Sequence, residues 1–222
     1  MFIFCEATLF SNTFLLSFPR SGNTWLRYII EHTADSPTLE GGGGGINQPM
    51  LAQLQNHLYQ YPPIFKTHFC HDVGQNDTLI LVVRDYKECI IRHALHESNP
   101  PYRQMVDEYF KNLSVFDAHP NEKKLLIFYE DIVVDPKPTV EQLCHFLSQH
   151  SEQRIDSFFK DFETHKEQCL ALYRKKIGPT VTNGQKIKFH NNEANREAID
   201  TINHIVNEEH RELSEKYLER YL

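Results

Sequence analysis

Hydrophobic residues in this chain form short runs that alternate with segments of helical spacing. The runs Thr13–Phe18, Thr78–Val83 and Leu125–Tyr129 have the length of strands that are buried on both faces of a sheet. Apolar residues three and four positions apart follow each run, as on the buried side of a helix. This alternation predicts an α/β fold, with a central parallel sheet flanked by helices and ligands bound at the carboxyl ends of the strands.

The end of the chain has helical spacing as well. Residues Asn195–Leu222 are predicted to form one long closing helix, and Gly41–Gly45, five consecutive glycines, predict a flexible loop. At 222 residues, the whole of 1–222 fits one domain. The apolar face of the closing helix would carry Ile199, Ile202, Ile205 and Val206.

Composition narrows the classes of partner. A net charge of −7 argues against a nucleic-acid binder, although a local basic pocket could still hold one anionic ligand. The five cysteines are widely spaced and contain no C-x-x-C pair, which favours reduced thiols. No basic segment precedes the apolar start, and no run reaches the length of a membrane span. We therefore expect a cytoplasmic protein with no membrane partner.

A turn between the first strand and its helix is the first candidate site. The segment Phe18–Trp25 (FPRSGNTW) contains small residues that let backbone N–H groups face an anion, and the helix that follows adds its positive end. Arg20 supplies a fixed charge, and Ser21 and Thr24 supply hydroxyl donors. The P-loop pattern G-x-x-x-x-G-K-[ST] is absent. An ordinary strand-to-helix turn with a cap would explain the same residue chemistry.

The sequence of Phe18–Trp25 itself resembles the 5′-phosphosulfate-binding loop of the sulfotransferase family. That resemblance implies a P-loop-NTPase-like sulfotransferase fold, in which the donor is 3′-phosphoadenosine 5′-phosphosulfate (PAPS). Many cytosolic members have lysine where this chain has Arg20, and arginine is a wider fork. The residues that would bind PAPS here are Arg20, Ser21, Gly22, Asn23, Thr24 and, stacked on the adenine, Trp25.

A histidine that follows a short apolar run is the second candidate. An imidazole at a strand end can accept a proton near neutral pH, and Phe65–His68 (FKTH) resembles the family's catalytic segment, which makes His68 the predicted general base. As one of thirteen histidines it could equally be structural. His68 and His71, with Cys70 and Asp72 nearby, also invite a metal interpretation. No second ligand cluster has suitable spacing, so zinc is the less favoured alternative and we predict no metal.

Arginines form the third candidate. Arg84 directly follows the predicted strand Thr78–Val83, and Arg92 lies eight residues further, about two helical turns away. The segment resembles the family's 3′-phosphate site, in which serine occupies the position of Arg92. A looser resemblance to the family's C-terminal basic loop makes Arg174 and Lys175 further candidates for the 3′-phosphate. Solvated surface charge explains Arg174 and Lys175 about equally well, and it explains Arg92 better than Arg84.

One more segment resembles the family without suggesting chemistry. Phe128–Asp131 (FYED) closes a core strand, and we interpret its acidic residues as caps of the helix that follows.

Together the resemblances imply transfer of a sulfuryl group from PAPS to a hydroxyl of a small molecule or saccharide. His68 would accept the hydroxyl proton, and Arg20 would stabilise charge on the leaving oxygen. The expected product is adenosine 3′,5′-bisphosphate (PAP), and a homodimer is compatible with the sequence. Two alternatives remain. One is a nucleotide-binding module without turnover. The other is a P-loop-like kinase, but this sequence lacks the loop lysine and a convincing aspartate for Mg²⁺ that a kinase needs.

Overall fold

The computed structural model describes residues 11–40, 49–51, 57–95, 100–177 and 193–222. Within these ranges the strands form one five-stranded sheet in which every pair runs parallel, in the order β2-β3-β1-β4-β5. The predicted α/β class is therefore confirmed. The strands are β1 (Thr13–Ser17), β2 (Thr38–Glu40), β3 (Ile64–Thr67), β4 (Thr78–Val83) and β5 (Lys124–Phe128).

Helices cover both faces of this sheet, as the buried strands require. The described residues form α1 (Asn23–Thr33), α2 (Tyr86–Ala94), α3 (Tyr102–Ala118), α4 (Asp131–Val134), α5 (Pro136–Phe146), α6 (Glu152–Lys160), α7 (Phe162–Ile177), α8 (Glu193–Glu209) and α9 (Arg211–Tyr217). Short 3₁₀ turns lie at Cys70–Asp72, Asn121–Lys123 and Glu219–Tyr221.

Alternating side chains of the central strands divide the interior into two cores. On one face Leu79 and Leu81 of β4 pack with α2, α3, α8 and α9. On the other face Ile80 and Val82 pack with α1, α5, α6 and α7. Because all four side chains are almost fully buried, β4 has no polar face, which explains its uninterrupted apolar sequence.

Two predictions about the outer parts of the chain have different outcomes. The prediction of one closing helix is wrong, because the helical segment is interrupted at His210, which separates α8 from α9, and a 3₁₀ turn follows α9. Its apolar face is confirmed, since Ile202, Ile205 and Val206 are buried. The predicted loop Gly41–Gly45 lies outside the described residues.

In the part of the chain that the structure describes, no helix has the length and apolar character needed to cross a bilayer.

The strand order places the candidate residues together. β1 lies between β3 and β4, and the carboxyl ends of these three strands meet at one edge of the sheet. The turn after β1 is therefore flanked on one side by His68, which follows β3, and on the other by Arg84, which follows β4. After β1 the chain adds β2 and β3 on one side of this strand and then β4 and β5 on its other side. Ligands of open α/β sheets characteristically bind at the strand ends where the strand order switches in this way.

Candidate active site

The turn after β1 has an unusual backbone. Arg20 has a φ of 70° and Gly22 a φ of 90°, so two of three successive residues are left-handed. Turns of this kind direct backbone N–H groups into a concavity that suits an anion. The N-cap residue of α1 is Gly22, which has no side chain to cap the helix, and the first turn of that helix contains no acidic residue. The free N–H groups and the positive end of α1 therefore stay available to an anion.

The side chain of Tyr129 explains the glycine in this turn. A Cβ atom at Gly22 would lie only 2.1 Å from Cδ2 of Tyr129, and the positive φ disfavours any other residue. The Arg84 guanidinium lies over the Tyr129 ring, 4.4 Å from its centroid. Arg84 Nη1 also donates to the carbonyl oxygen of Arg20, at 3.2 Å. Tyr129 and Arg84 thus hold the turn in its left-handed conformation.

Polar side chains of the turn face different surroundings. The Ser21 hydroxyl is completely buried, 3.5 Å from Cys89 Sγ, so it supports the turn from the core side. Asn23 donates to Ser17 Oγ, while its own Oδ1 is buried and has no partner in the part of the chain that the structure describes. Thr24 is half-buried at the start of α1. Arg20 is half-buried as well, and its Nη1 donates to the hydroxyl of Tyr173 at 3.2 Å.

Trp25 belongs to an aromatic cluster on α1, α6 and α7. Its ring stacks on Tyr28 at 5.8 Å and contacts Phe158 and Phe162, and its Nε1 donates to the carbonyl of Ile132. The side chain is only half-buried, so part of the indole is accessible beside the turn.

His68 lies directly after β3, with one ring nitrogen fixed. Its Nδ1 is 2.6 Å from the carbonyl oxygen of Ser17. Because a carbonyl can only accept, Nδ1 carries the proton of the neutral imidazole, and the lone pair is on Nε2. Burial lowers the pKa of His68 to about 4, and the positive charge of Lys66 adds to this effect. At neutral pH the side chain is therefore an uncharged base.

A buried ion pair adjoins this histidine. Lys66 Nζ lies 2.5 Å from Glu40 Oε1, and both side chains are nearly inaccessible. The two residues face each other in the register between β2 and β3. Burial lowers the pKa of Lys66, against the opposing effect of its bond to Glu40. This pair could not be predicted from the sequence, because its partners are 26 residues apart and β2 is a strand of only three residues.

Arg84 and Arg92 converge, as their spacing predicts, but on a carboxylate of the protein. Glu88 Oε1 accepts a hydrogen bond from Arg84 Nη2 at 2.6 Å and from Arg92 Nε at 2.7 Å. Burial is the largest single effect and by itself lowers the pKa of Arg84, but the Glu88 carboxylate together with Tyr129 and Cys89 raises the pKa above its ordinary value. Glu88 was not predicted, although a glutamate four residues from each arginine is the signal of such a bridge.

The FYED segment is structural, but the capping interpretation is wrong. The side chain of Glu130 makes no capping bond at the start of α4. Instead Asp131 accepts two hydrogen bonds from Arg220, and Glu130 accepts one from the Tyr221 hydroxyl, so these acids anchor the C-terminal turn. The capping acid in this region is Asp85, whose Oδ1 accepts from the backbone N–H of Lys87.

The basic residues at the end of α7 differ from the prediction in one respect. The backbone of Arg174 and Lys175 lies in the last turn of α7, and therefore in a helix and not in a loop. Their side chains lie outside the described part of the structure.

Potential metal ligands come together elsewhere. Among the described residues, one group of three such side chains has its ligand atoms within 4.8 Å of one another: Asp107, Glu209 and His210, at the junction of α3 with α8 and α9. Arg103 forms an ion pair with Glu209, and His210 Nε2 donates a hydrogen bond to Asp107 Oδ1 at 3.0 Å. Cys70, His71 and Asp72 form no such group.

Comparisons with known proteins agree with this geometry. Cytosolic sulfotransferase 1 of Danio rerio is 25% identical over 240 residues, covering 85% of this chain and 80% of the relative. Mouse sulfotransferase SULT7A1 complexed with PAP matches with a TM-score of 0.58 at 14% identity, over 93% of this chain and 88% of that chain. Retinol dehydratase in complex with androsterone and inactive cofactor PAP also has a TM-score of 0.58, at 15% identity, over 88% and 80%.

These likenesses to solved structures show the same fold, which confirms the expected sulfotransferase architecture. The model of the sulfotransferase domain matches residues 10–214, which is most of the chain and includes every described candidate side chain. Because this match assigns the chain to a family of sulfotransferases, it excludes membership of a kinase family. This chain therefore belongs to the sulfotransferase family.

Proposed function

We propose that this enzyme transfers a sulfuryl group from PAPS to a hydroxyl of an acceptor, with His68 as the general base. The observation that carries the proposal is the meeting of two features at the carboxyl edge of the sheet. One is the uncapped, left-handed turn after β1, which suits an anion. The other is a neutral imidazole in the neighbouring connection, with its free lone pair on Nε2.

The residues at this edge fit PAPS by their chemistry. Backbone N–H groups from the turn through Thr24, with the Arg20 guanidinium, suit the 5′-phosphosulfate. Trp25 offers an accessible aromatic surface for the adenine. Arg84 and Arg92 suit the 3′-phosphate because arginine binds phosphate with two donors at once. Two solved neighbours with the same fold contain PAP, which supports this choice of donor.

PAPS supplies the sulfuryl group, and PAP is its leaving group. His68 Nε2 accepts the proton of the acceptor hydroxyl, while the bond from Nδ1 to Ser17 holds the ring in the required tautomer. The pKa of His68 rises when an anion binds beside it, because negative charge stabilises the imidazolium. That rise brings the base closer to the working pH.

Fixed positive groups replace a metal ion in this proposal. The turn N–H groups and Arg20 stabilise the negative charge that develops on the leaving oxygen. Because these groups are built into the fold, activity should survive exhaustive treatment with EDTA. Loss of activity in EDTA that returns with added Mg²⁺ would contradict this assignment.

The acceptor is proposed to be a small molecule or a saccharide with a reactive hydroxyl. Phe69, directly after His68, is 58% exposed, and its ring lies 5.4 Å from that of His71. An exposed aromatic side chain next to the base favours an acceptor with an apolar part. A solved neighbour holds androsterone, which is in keeping with this class of acceptor.

Transfer of ³⁵S from labelled PAPS to a panel of phenols, steroids and saccharides tests the proposal. We expect at least one product, with transfer abolished when unlabelled PAP is added in excess. Calorimetry in parallel should show that PAP binds more tightly than ATP with Mg²⁺. PAP binding without transfer to any acceptor would instead support a nucleotide-binding module without turnover.

A further inference from the structure

Glu88 has an unusual position between the two arginines of the proposed 3′-phosphate site. A single oxygen of its carboxylate, Oε1, accepts hydrogen bonds from both guanidinium groups at 2.6 and 2.7 Å. Arg92 Nη2 also lies 2.6 Å from the same oxygen. The Glu88 side chain is 15% exposed, so this contact is shielded from most of the solvent. The protein itself thus supplies an anion at the point where its two cations converge.

The geometry of α2 makes this contact inherent to the fold. Arg84 lies four residues before Glu88 and Arg92 four residues after it, so the three side chains share one side of the helix and its entry. A guanidinium fork binds carboxylate and phosphate with similar geometry. The carboxylate therefore occupies the kind of position that a phosphate oxygen would take between the two arginines.

The cluster still has unused capacity for an anion. Its formal charge is +1, because two guanidinium groups share one carboxylate. Arg84 Nε is buried and has no hydrogen-bond partner among the described residues, although burying an N–H without an acceptor costs free energy. The Arg92 side chain is 29% exposed and accessible from solvent. The unpartnered Nε–H of Arg84, beside the accessible guanidinium of Arg92, indicates that an anion with several acceptor oxygens can bind at this cluster.

We propose that Glu88 is a displaceable counter-ion, which a nucleotide must push aside with its 3′-phosphate in order to bind Arg84 and Arg92. This inference rests on the proposed PAPS function and makes Glu88 a specificity-determining residue of that site. A dianionic phosphate with three free oxygens can outcompete a carboxylate for two guanidinium groups. A nucleotide without a 3′-phosphate has nothing to exchange for Glu88 and leaves the bridge closed.

Calorimetry of the Glu88→Gln variant tests the competition. Glutamine keeps the shape but removes the charge, so the 3′-phosphate no longer displaces a charged competitor. We expect PAP to bind about tenfold more tightly, which corresponds to about 1.4 kcal/mol. Adenosine 5′-monophosphate, which lacks the 3′-phosphate, should bind the variant and the wild type alike. The matched control is Glu215→Gln, which removes a glutamate that also pairs with an arginine four residues away, Arg211.

A second variant guards against a folding defect. Glu88→Asp keeps the charge on a shorter side chain that reaches both arginines less well, so PAP should bind it more tightly than the wild type but less tightly than Glu88→Gln. Melting temperatures without ligand establish that each variant is folded.

Two results would overturn the inference in different ways. If wild type prefers PAP to adenosine 5′-monophosphate but Glu88→Gln binds PAP equally or more weakly, Glu88 does not compete, and only the counter-ion role fails. If wild type itself shows no preference for PAP, the proposed donor site fails, and the counter-ion role fails with it.

Discussion

Two ion clusters at the same edge of the sheet, one on each side of the turn after β1, have different compositions. Lys66 and Glu40 form a closed pair, one cation to one anion, between strands in fixed register. Arg84, Glu88 and Arg92 form an open cluster on a helix, with two cations for one anion and partial exposure. The closed pair has no net charge to offer, whereas the open cluster retains one positive charge.

This difference separates stability from binding. A buried pair on two strands cannot rearrange without disturbing the sheet, so its effects are on folding and on the neighbouring imidazole. A helix-borne bridge near the surface can exchange its carboxylate by side-chain rotation alone. We therefore expect substitutions in the first cluster to change stability, and substitutions in the second to change ligand affinity.

The largest expected effect is on the closed pair. Glu40→Gln leaves Lys66 buried without its counter-charge, which should reduce the free energy of unfolding by about 3–5 kcal/mol in urea denaturation. The double variant Glu40→Leu/Lys66→Met removes both charges and should recover most of that loss. If the single variant is as stable as the wild type, Lys66 does not depend on Glu40.

The turn between the clusters is the next most sensitive place. Gly22→Ala combines a left-handed backbone with a clash against Tyr129, and should lower the free energy of unfolding by at least about 2 kcal/mol and weaken PAP binding. The matched control is Gly74→Ala, because a Cβ there meets only the Asp77 carboxylate at 3.0 Å. Equal losses in the two variants would contradict the special role of the turn.

A smaller effect concerns the pH profile. The pKa of His68 is lowered to about 4, so its protonation should reduce kcat/KM of the free enzyme only as the pH approaches 4, well below the ordinary pKa of 6.5. In Glu40→Leu/Lys66→Met this acid limb should move upwards, because Lys66 lowers the pKa more than Glu40 raises it. An acid limb near pH 6.5 in the wild type would show that His68 is not held in this environment.

The same shift has a consequence for stability. Between pH 6.5 and about 4 the unfolded chain binds a proton at His68 while the folded protein does not. Stability is therefore lost as the pH falls through this window, and His68 contributes no further change below it. A His68→Gln variant should show a flatter dependence of unfolding free energy on pH across this window.

The sequence was sufficient wherever the information is local. The bounds of β4 agree with its apolar run, and the approach of Arg84 to Arg92 follows from helical periodicity. The bridging role of Glu88 follows from the same periodicity, because a glutamate four residues from each arginine can pair with both.

Features that depend on contacts distant in sequence could not be predicted in this way. The pairing of Glu40 with Lys66 requires β2 to lie beside β3, and β2 has only three residues, one of them charged. The role of Gly22 depends on Tyr129, which arrives from the end of β5. The break at His210 depends on packing too, since the His210 ring stacks on Phe110 of α3 at 4.5 Å.

The measurement that tests the central claim most directly compares transfer with binding in one variant, His68→Gln. Glutamine preserves some polarity but cannot accept and carry a proton at this place. Sulfuryl transfer from PAPS to an acceptor that the panel identifies should fall by about 10²-fold or more, because general base catalysis contributes that much. The affinity for PAP, measured by calorimetry, should change less than about twofold, since its proposed ligands lie on the turn and on α2. Transfer at the wild-type rate in this variant would contradict the account.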